Sequence, residues 1–219
     1  MKERPILFSA SMVRGLLAGT KTQTRRAVWP QPASDQQLRT VIGSSGFVYV
    51  MDNAPLLPYP KVRRVRWDCP YGQPGDRLWV RESWSSSDYR LQRGPYLKPD
   101  EFNVAEAREL GHLIYAADGT PDFEGEQELI RWVPSIHMPR WASRITLEIT
   151  SVRVERLQEI SEADVQAEGW TRRPEVSTEP QVHKEAARDW FMDRWESING
   201  PGSWDANPWV WAIEFRRLA

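Results

Sequence analysis

The segment that most restricts how this chain can fold is 145–156, ITLEITSVRVER. Its apolar residues run from Ile145 through Leu147 and Ile149 and on to Val152 and Val154, with polar or charged residues between them. Such alternation gives a strand one face for a core and one for polar surroundings, and a strand needs partners. Candidates are PILFSA at 5–10, FVYVM at 47–51, RLWVRESW at 77–84, LIYAA at 113–117 and WVWAIEFRRL at 209–218. Leu78 and Val80 alternate with Arg77, Trp79 and Arg81 in the third of these; in the last Val210 and, weakly, Ala212 alternate, followed by Phe215 with charged neighbours. Helices are expected over 11–18, within 99–111, over 160–170 and over 184–200. Ser9 or Ser11 caps the first and Gly19 stops it; Ser161 and Gly169 bound the third. In the fourth, Ala187, Trp190, Phe191, Trp195 and Ile198 share a face suited to a core. The stretches 28–46, 131–144 and 171–182 read as loops, and 54–60 is too proline-rich for a central strand. Short helices among several antiparallel-looking strands make an α+β fold or a small mixed β-barrel with insertions.

Composition narrows the function classes. The 219 residues are 40% hydrophobic and 27% charged, enough for one domain with its own core. No apolar run reaches the roughly 18–20 residues of a membrane span, and MKERPILFSA does not read as a secretory signal. With Cys69 alone, no internal disulfide can form, and a reducing cytoplasm is the expected setting. His112, His137 and His183 lack ligand spacing, so no metal and no cofactor are expected. Net charge is −1, but its distribution is uneven. Residues 1–30 carry six basic side chains and one acidic, KVRRVR at 61–66 carries four basic ones, and 157–198 carries ten acidic and five basic. A neutral total can therefore combine a basic face with an acidic one. Twelve Trp can fill a core or stack on bases.

The densest chemistry is GTKTQTRR at 19–26. A threonine hydroxyl needs a neighbouring base to become a nucleophile. Lys21 is a candidate, because the nearby cations Arg25 and Arg26 lower its pKa by repulsion. In an extended chain, however, Lys21, Gln23 and Arg25 share one face and Thr22, Thr24 and Arg26 the other. Taken alone, the segment fits a phosphate or carboxylate clamp better than a catalytic site. No P-loop, dinucleotide fingerprint, HExxH or GxSxG motif is present.

The blocks LLAGTKTQTRR, GQPGDRLWVRESW, LQEISEADVQAEGW and WVWAIEFRRL, in that order, resemble an ASCH domain of the PUA-like superfamily. SIHMPRWASRITLEI and GSWDANPWVW are similar to phage and prophage proteins that carry this domain. The resemblance implies a PUA-like small mixed β-barrel with flanking short helices, spanning 1–219 with insertions near 28–70, 85–130 and 171–208. It implies a nucleobase-, nucleoside- or RNA-directed function. Within the family, the bacterial N4-acetylcytidine amidohydrolases supply an enzymatic comparison, although they are about half as long as this chain. The matching positions are Lys21, Thr24 and Glu168. They imply Thr24 as nucleophile, Lys21 as its base and Glu168 as an orienting or proton-carrying carboxylate. Arg26 matches a basic residue that binds substrate or oxyanion. Arg25, Glu82, His137, Arg140 and Trp141 are further candidates for contacting substrate. The partners so implied are a modified nucleoside or nucleic acid, RNA before DNA, with no membrane. A non-catalytic RNA- or DNA-binding module and a phage accessory protein acting on a host partner are the alternatives.

Overall fold

A computed structural model describes residues 1–32, 37–43, 46–52, 68–86, 104–120, 132–171 and 180–218. The segment 145–156 becomes the long strand β8, Thr146–Arg156, once the other strands are numbered in chain order: β1 Glu3–Leu7, β2 Gln23–Ala27, β3 Gln37–Gly43, β4 Gly46–Asp52, β5 Arg77–Arg81, β6 Trp84–Ser86 and β7 Leu113–Tyr115. The chain closes with β9, Trp209–Arg217. Among the described residues four α-helices intervene: α1 Ala10–Leu17, α2 Val104–Glu109, α3 Glu162–Ala167 and α4 Pro180–Asn199. The result is α+β, built on a five-stranded mixed sheet in the order β1-β5-β8-β9-β2. Among the described residues no helix is long and apolar enough to cross a membrane.

The spine of that sheet is β8 against β9. Its register steps between Ile149 and Ser151, leaving Thr150 as an extra residue. This bulge explains why the buried set changes parity, from Leu147 and Ile149 to Val152 and Val154. The extra residue restores the same side chains to the same face. Strand β9 does not alternate between core and solvent as expected. Trp209, Val210, Trp211, Ala212 and Ile213 are all buried, because β9 lies between two strands and is covered on both faces. Trp209, Trp211, Ile213 and Phe215 join the main core with α1, while Val210 joins a second core under α3 and α4.

Other expectations need correction. Strands β1 and β5 pair in parallel, not antiparallel; the long intervening chain permits a crossover. The expected loop at 28–46 contains β3, paired antiparallel with β4 from Gln37↔Asp52 to Gly43↔Gly46. Leu38, Thr40, Val41 and Ile42 give it β-forming character despite its polar flanks. The strand expected over 77–84 ends at Arg81, and β6 departs to pair with β7 over a third cluster containing Trp84, Tyr115 and Met138. The 131–144 segment holds two 3-10 turns, Ser135–His137 and Arg140–Ala142. On α4 the buried seam is His183, Ala187, Phe191 and Trp195, whereas Ile198 is 52% exposed and leaves the expected stripe. KVRRVR at 61–66 lies outside the described residues.

The turn QPGD reveals a structural acid. Buried Asp76 accepts hydrogen bonds from the Lys2 backbone N–H (2.6 Å) and an Arg4 guanidinium nitrogen (3.0 Å), tying the start of β1 to the turn before β5. Burial works to raise the Asp76 pKa, but the Lys2 and Gln73 backbone groups and Arg4 outweigh it, and the net direction is downward.

Candidate functional site

The basic turn is folded inward by the end of α1. Gly19 takes φ +73°, and the N–H groups of Thr20 and Lys21 return to the Gly15 carbonyl at 2.9 and 3.1 Å. This reversal sends the Lys21 stem into the protein. A Cβ on Gly15 would lie 3.1 Å from Lys21 Cβ, and one on Gly169 3.4 Å from it. Two glycines therefore make room for one lysine; Gly169 also has φ +104°.

The partner comes from α3. Ser161 and Asp164 form a reciprocal capping box at its start, and Glu168 occupies its C-cap. The Thr22 N–H donates to the Ala167 carbonyl at 2.8 Å, fastening the entry of β2 to the end of α3. Lys21 Nζ then donates to Glu168 Oε2 at 2.6 Å and to the Glu168 carbonyl at 2.9 Å. The side chains are 1% and 5% exposed, so this is a buried ion pair. A carboxylate at a helix C-terminus is disfavoured by the helix dipole, and Lys21 offsets that. Burial lowers the Lys21 pKa most, Glu168 opposes it, and the charges of Arg26 and Arg194 lower it further; the net direction is downward.

Beside this pair lies a small cavity of about 50 Å³ that opens to solvent, lined by Met12, Thr24, Arg26, Glu168, Phe191 and Arg194 among others. Thr24 is 2% exposed and Glu168 6%. The second carboxylate oxygen, Glu168 Oε1, is buried without a hydrogen-bond partner, and so is Arg26 Nε. Such atoms are unfavourable unless something bonds them. Phe191, Trp195 and Met12 give the cavity an apolar wall.

Comparison with protein-family models, curated proteins and solved structures finds no match for this chain.

Lys21, Thr24, Glu168, Arg25 and Arg26 meet around the cavity or the ion pair at its wall. Arg25 is committed inward: its Nε donates to Glu155 Oε1 at 2.9 Å, and its guanidinium lies 3.2 Å from Asp164 and 3.5 Å from Glu168. Arg153 also binds Glu155 and Asp164, so these charges form a network bracing β2, β8 and α3. In Asp164 burial works to raise the pKa, yet the Ser161 hydroxyl, the Gln23 amide and the Arg25 charge drive it far below the usual carboxylate range.

Glu82, His137, Arg140 and Trp141 do not line the cavity. Glu82 is 1% exposed and held bidentately by Arg144 at 2.9 and 3.0 Å. His137 is exposed on its 3-10 turn. Arg140 forms a surface pair with Glu3 at 2.9 Å, and Trp141 packs edge-on against Trp84 at 5.6 Å. These four contribute to the third cluster or its surface. Sequence reasoning missed Arg194, whose place in the cavity follows from α4 packing over β2, and Gly15, a glycine inside a helix that marks a close approach. Among the described residues no group of His, Cys, Asp or Glu side chains is arranged to hold a metal ion.

Proposed function

We propose that this is a PUA-like ASCH protein whose cavity beside β2 binds a modified pyrimidine nucleoside and hydrolyses its exocyclic amide, as on N4-acetylcytidine. The observation that carries the reading is the buried Lys21–Glu168 pair, 2.6 Å apart, beside a cavity that Thr24 also lines. Burial, with the charges of Arg26 and Arg194, lowers the Lys21 pKa against the opposing pull of Glu168, so its ammonium gives up a proton more readily than that of an exposed lysine. Once deprotonated, the amine can keep its two bonds to the Glu168 carbonyl and carboxylate, and in the proposed mechanism its lone pair takes the Thr24 hydroxyl proton.

The chemistry follows the logic of an activated hydroxyl nucleophile. Thr24 Oγ1 bonds to the acyl carbon as its proton passes to Lys21, and the carbonyl π pair moves onto oxygen. Collapse of that intermediate breaks the C–N bond, and the leaving amine takes the proton from Lys21. Water then attacks the acyl-threonine, Lys21 takes the water proton, and cleavage returns it to Thr24 Oγ1. The products are the free nucleoside and a carboxylic acid. Glu168 orients the amine throughout. Its Oε1, which faces Arg25 at 3.5 Å but accepts no hydrogen bond, is available to an N–H of the substrate.

The test is incubation with N4-acetylcytidine, with cytidine release followed chromatographically. Cytidine formation by the wild-type chain, abolished in Lys21→Ala, is expected. Absence of cytidine formation, or turnover that survives Lys21→Ala, overturns the reading. One feature suits a binding-only module: both described bonds of the Lys21 amine go to Glu168, as in a structural ion pair. That module would bind the nucleoside and leave it intact.

A further inference from the structure

The cations around the cavity are not equally neutralised. Lys21 has Glu168, and Arg25 has Glu155, Asp164 and Glu168. Two guanidinium groups differ. Among the described residues neither Arg26 nor Arg194 has a carboxylate within ion-pair distance, although both line the cavity. Arg26 donates to the Leu7 carbonyl and lies 5.3 Å from the Phe8 ring centroid, and its Nε is buried without a partner. Arg194 reaches over from α4, is half-buried, donates to the Ser11 hydroxyl and lies 5.3 Å from the Trp190 ring. Neither a carbonyl, a hydroxyl nor an aromatic face supplies a full counter-charge. The nearby acids Glu155, Asp164 and Glu168 already contact other cations, and the charge of Glu168 reaches Arg26 and Arg194 only from beyond ion-pair distance. Partly buried charges left this way are unfavourable until an anion arrives.

We infer that Arg26 and Arg194 form an anion clamp across the cavity, and that the ligand carries a phosphate group beside the ring read by Glu168. This rests on the cavity being the ligand site, as proposed above, but not on hydrolysis. Guanidinium groups suit phosphate because their planar donors bond its oxygens in pairs. Arg26 sits on β2 two residues from Thr24 and Arg194 on α4, so two separate elements bring them to one cavity. The clamp therefore selects a nucleotide over a nucleoside. The same chemistry serves a free nucleoside 5′-monophosphate and a phosphodiester within a strand.

Titration calorimetry on the full chain tests this with cytidine, cytidine 5′-monophosphate and a short oligocytidine, at two salt concentrations. A phosphate-bearing probe is expected to bind at least about ten-fold more tightly than cytidine, with the advantage shrinking at high salt. Tighter binding of the monophosphate than of the oligomer per site identifies a free nucleotide; the reverse identifies a strand. Arg194→Gln is expected to abolish the advantage, and Arg194→Lys to retain part of it, each with an unchanged melting profile. Equal affinity for all three probes, absence of binding by both phosphate-bearing probes, or an advantage that survives Arg194→Gln overturns the inference. The two proposals fail separately: phosphate-dependent binding without amide turnover removes the hydrolase, and turnover without a phosphate preference removes the clamp.

Discussion

Removing Glu168 while keeping Lys21 is the sharpest perturbation of the structure around the cavity. In Glu168→Ala the Lys21 ammonium, 1% exposed, loses its 2.6 Å carboxylate partner. Breaking one side of a buried pair destabilises by about 3–5 kcal/mol. The lower end applies here, because the bond to the residue-168 carbonyl at 2.9 Å survives and Phe8 lies 5.8 Å from Nζ. About 3 kcal/mol lowers the melting temperature by about 6–12 °C in a chain of this size. The double variant Lys21→Met/Glu168→Ala removes both charges and should recover most of the loss. The pH dependence has a definite sign. Burial holds the folded pKa of Lys21 below its ordinary value, so between the two the unfolded chain binds more protons and stability rises with pH. Without Glu168 to oppose burial, that window extends downward, and the deficit of Glu168→Ala shrinks as pH climbs toward about 10. Thermal melts of the three proteins across pH check this. A single variant within about 1 kcal/mol of wild type, or a double variant no better than the single, refutes the buried-pair reasoning.

Three further outcomes follow from the same geometry. Asp76→Ala removes a buried carboxylate that joins Lys2 and Arg4, and should destabilise by about 3 kcal/mol, measured by denaturant unfolding. Because the Asp76 pKa is lowered on folding, its contribution is present above the unfolded carboxylate value and lost as pH falls through the folded one. The Cys69 thiol is pushed up to about 11, by burial first, so alkylation at pH 8 should be slow and accelerate steeply toward pH 11. Gly15→Ala should bring none of the usual helix gain of about 1 kcal/mol, since its new Cβ meets the Lys21 stem at 3.1 Å; thermal melts check it.

Much of the fold was legible in local signals. Ser161 and Gly169 bound α3 because a cap and a left-handed stop are local chemistry. The pattern of β8 carried its own irregularity, since the step from Ile149 to Val152 is the imprint of the bulge at Thr150. What local pattern could not supply was pairing. The parallel β1–β5 contact and the burial of both faces of β9 depend on which strands lie alongside. The site divides the same way. Lys21, Thr24 and Arg26 fall within one basic turn, but Glu168 lies 147 residues from Lys21, and only family resemblance pointed to it. The bond from Thr22 to Ala167 that unites them is tertiary. Arg194 carried no signal of its own, because on α4 it reads as an ordinary surface charge. Glu82 and Arg140 looked like ligand contacts and are instead matched by Arg144 and Glu3.

In the proposed mechanism the Thr24 hydroxyl attacks an acyl group in the cavity beside β2. Thr24→Val tests it most directly, since the substitution exchanges that hydroxyl for a methyl group at a position 2% exposed. The rate of cytidine release from N4-acetylcytidine should fall by at least about a thousand-fold, with the melting temperature within a few degrees of wild type. Release at the wild-type rate in Thr24→Val would rule out Thr24 as the nucleophile.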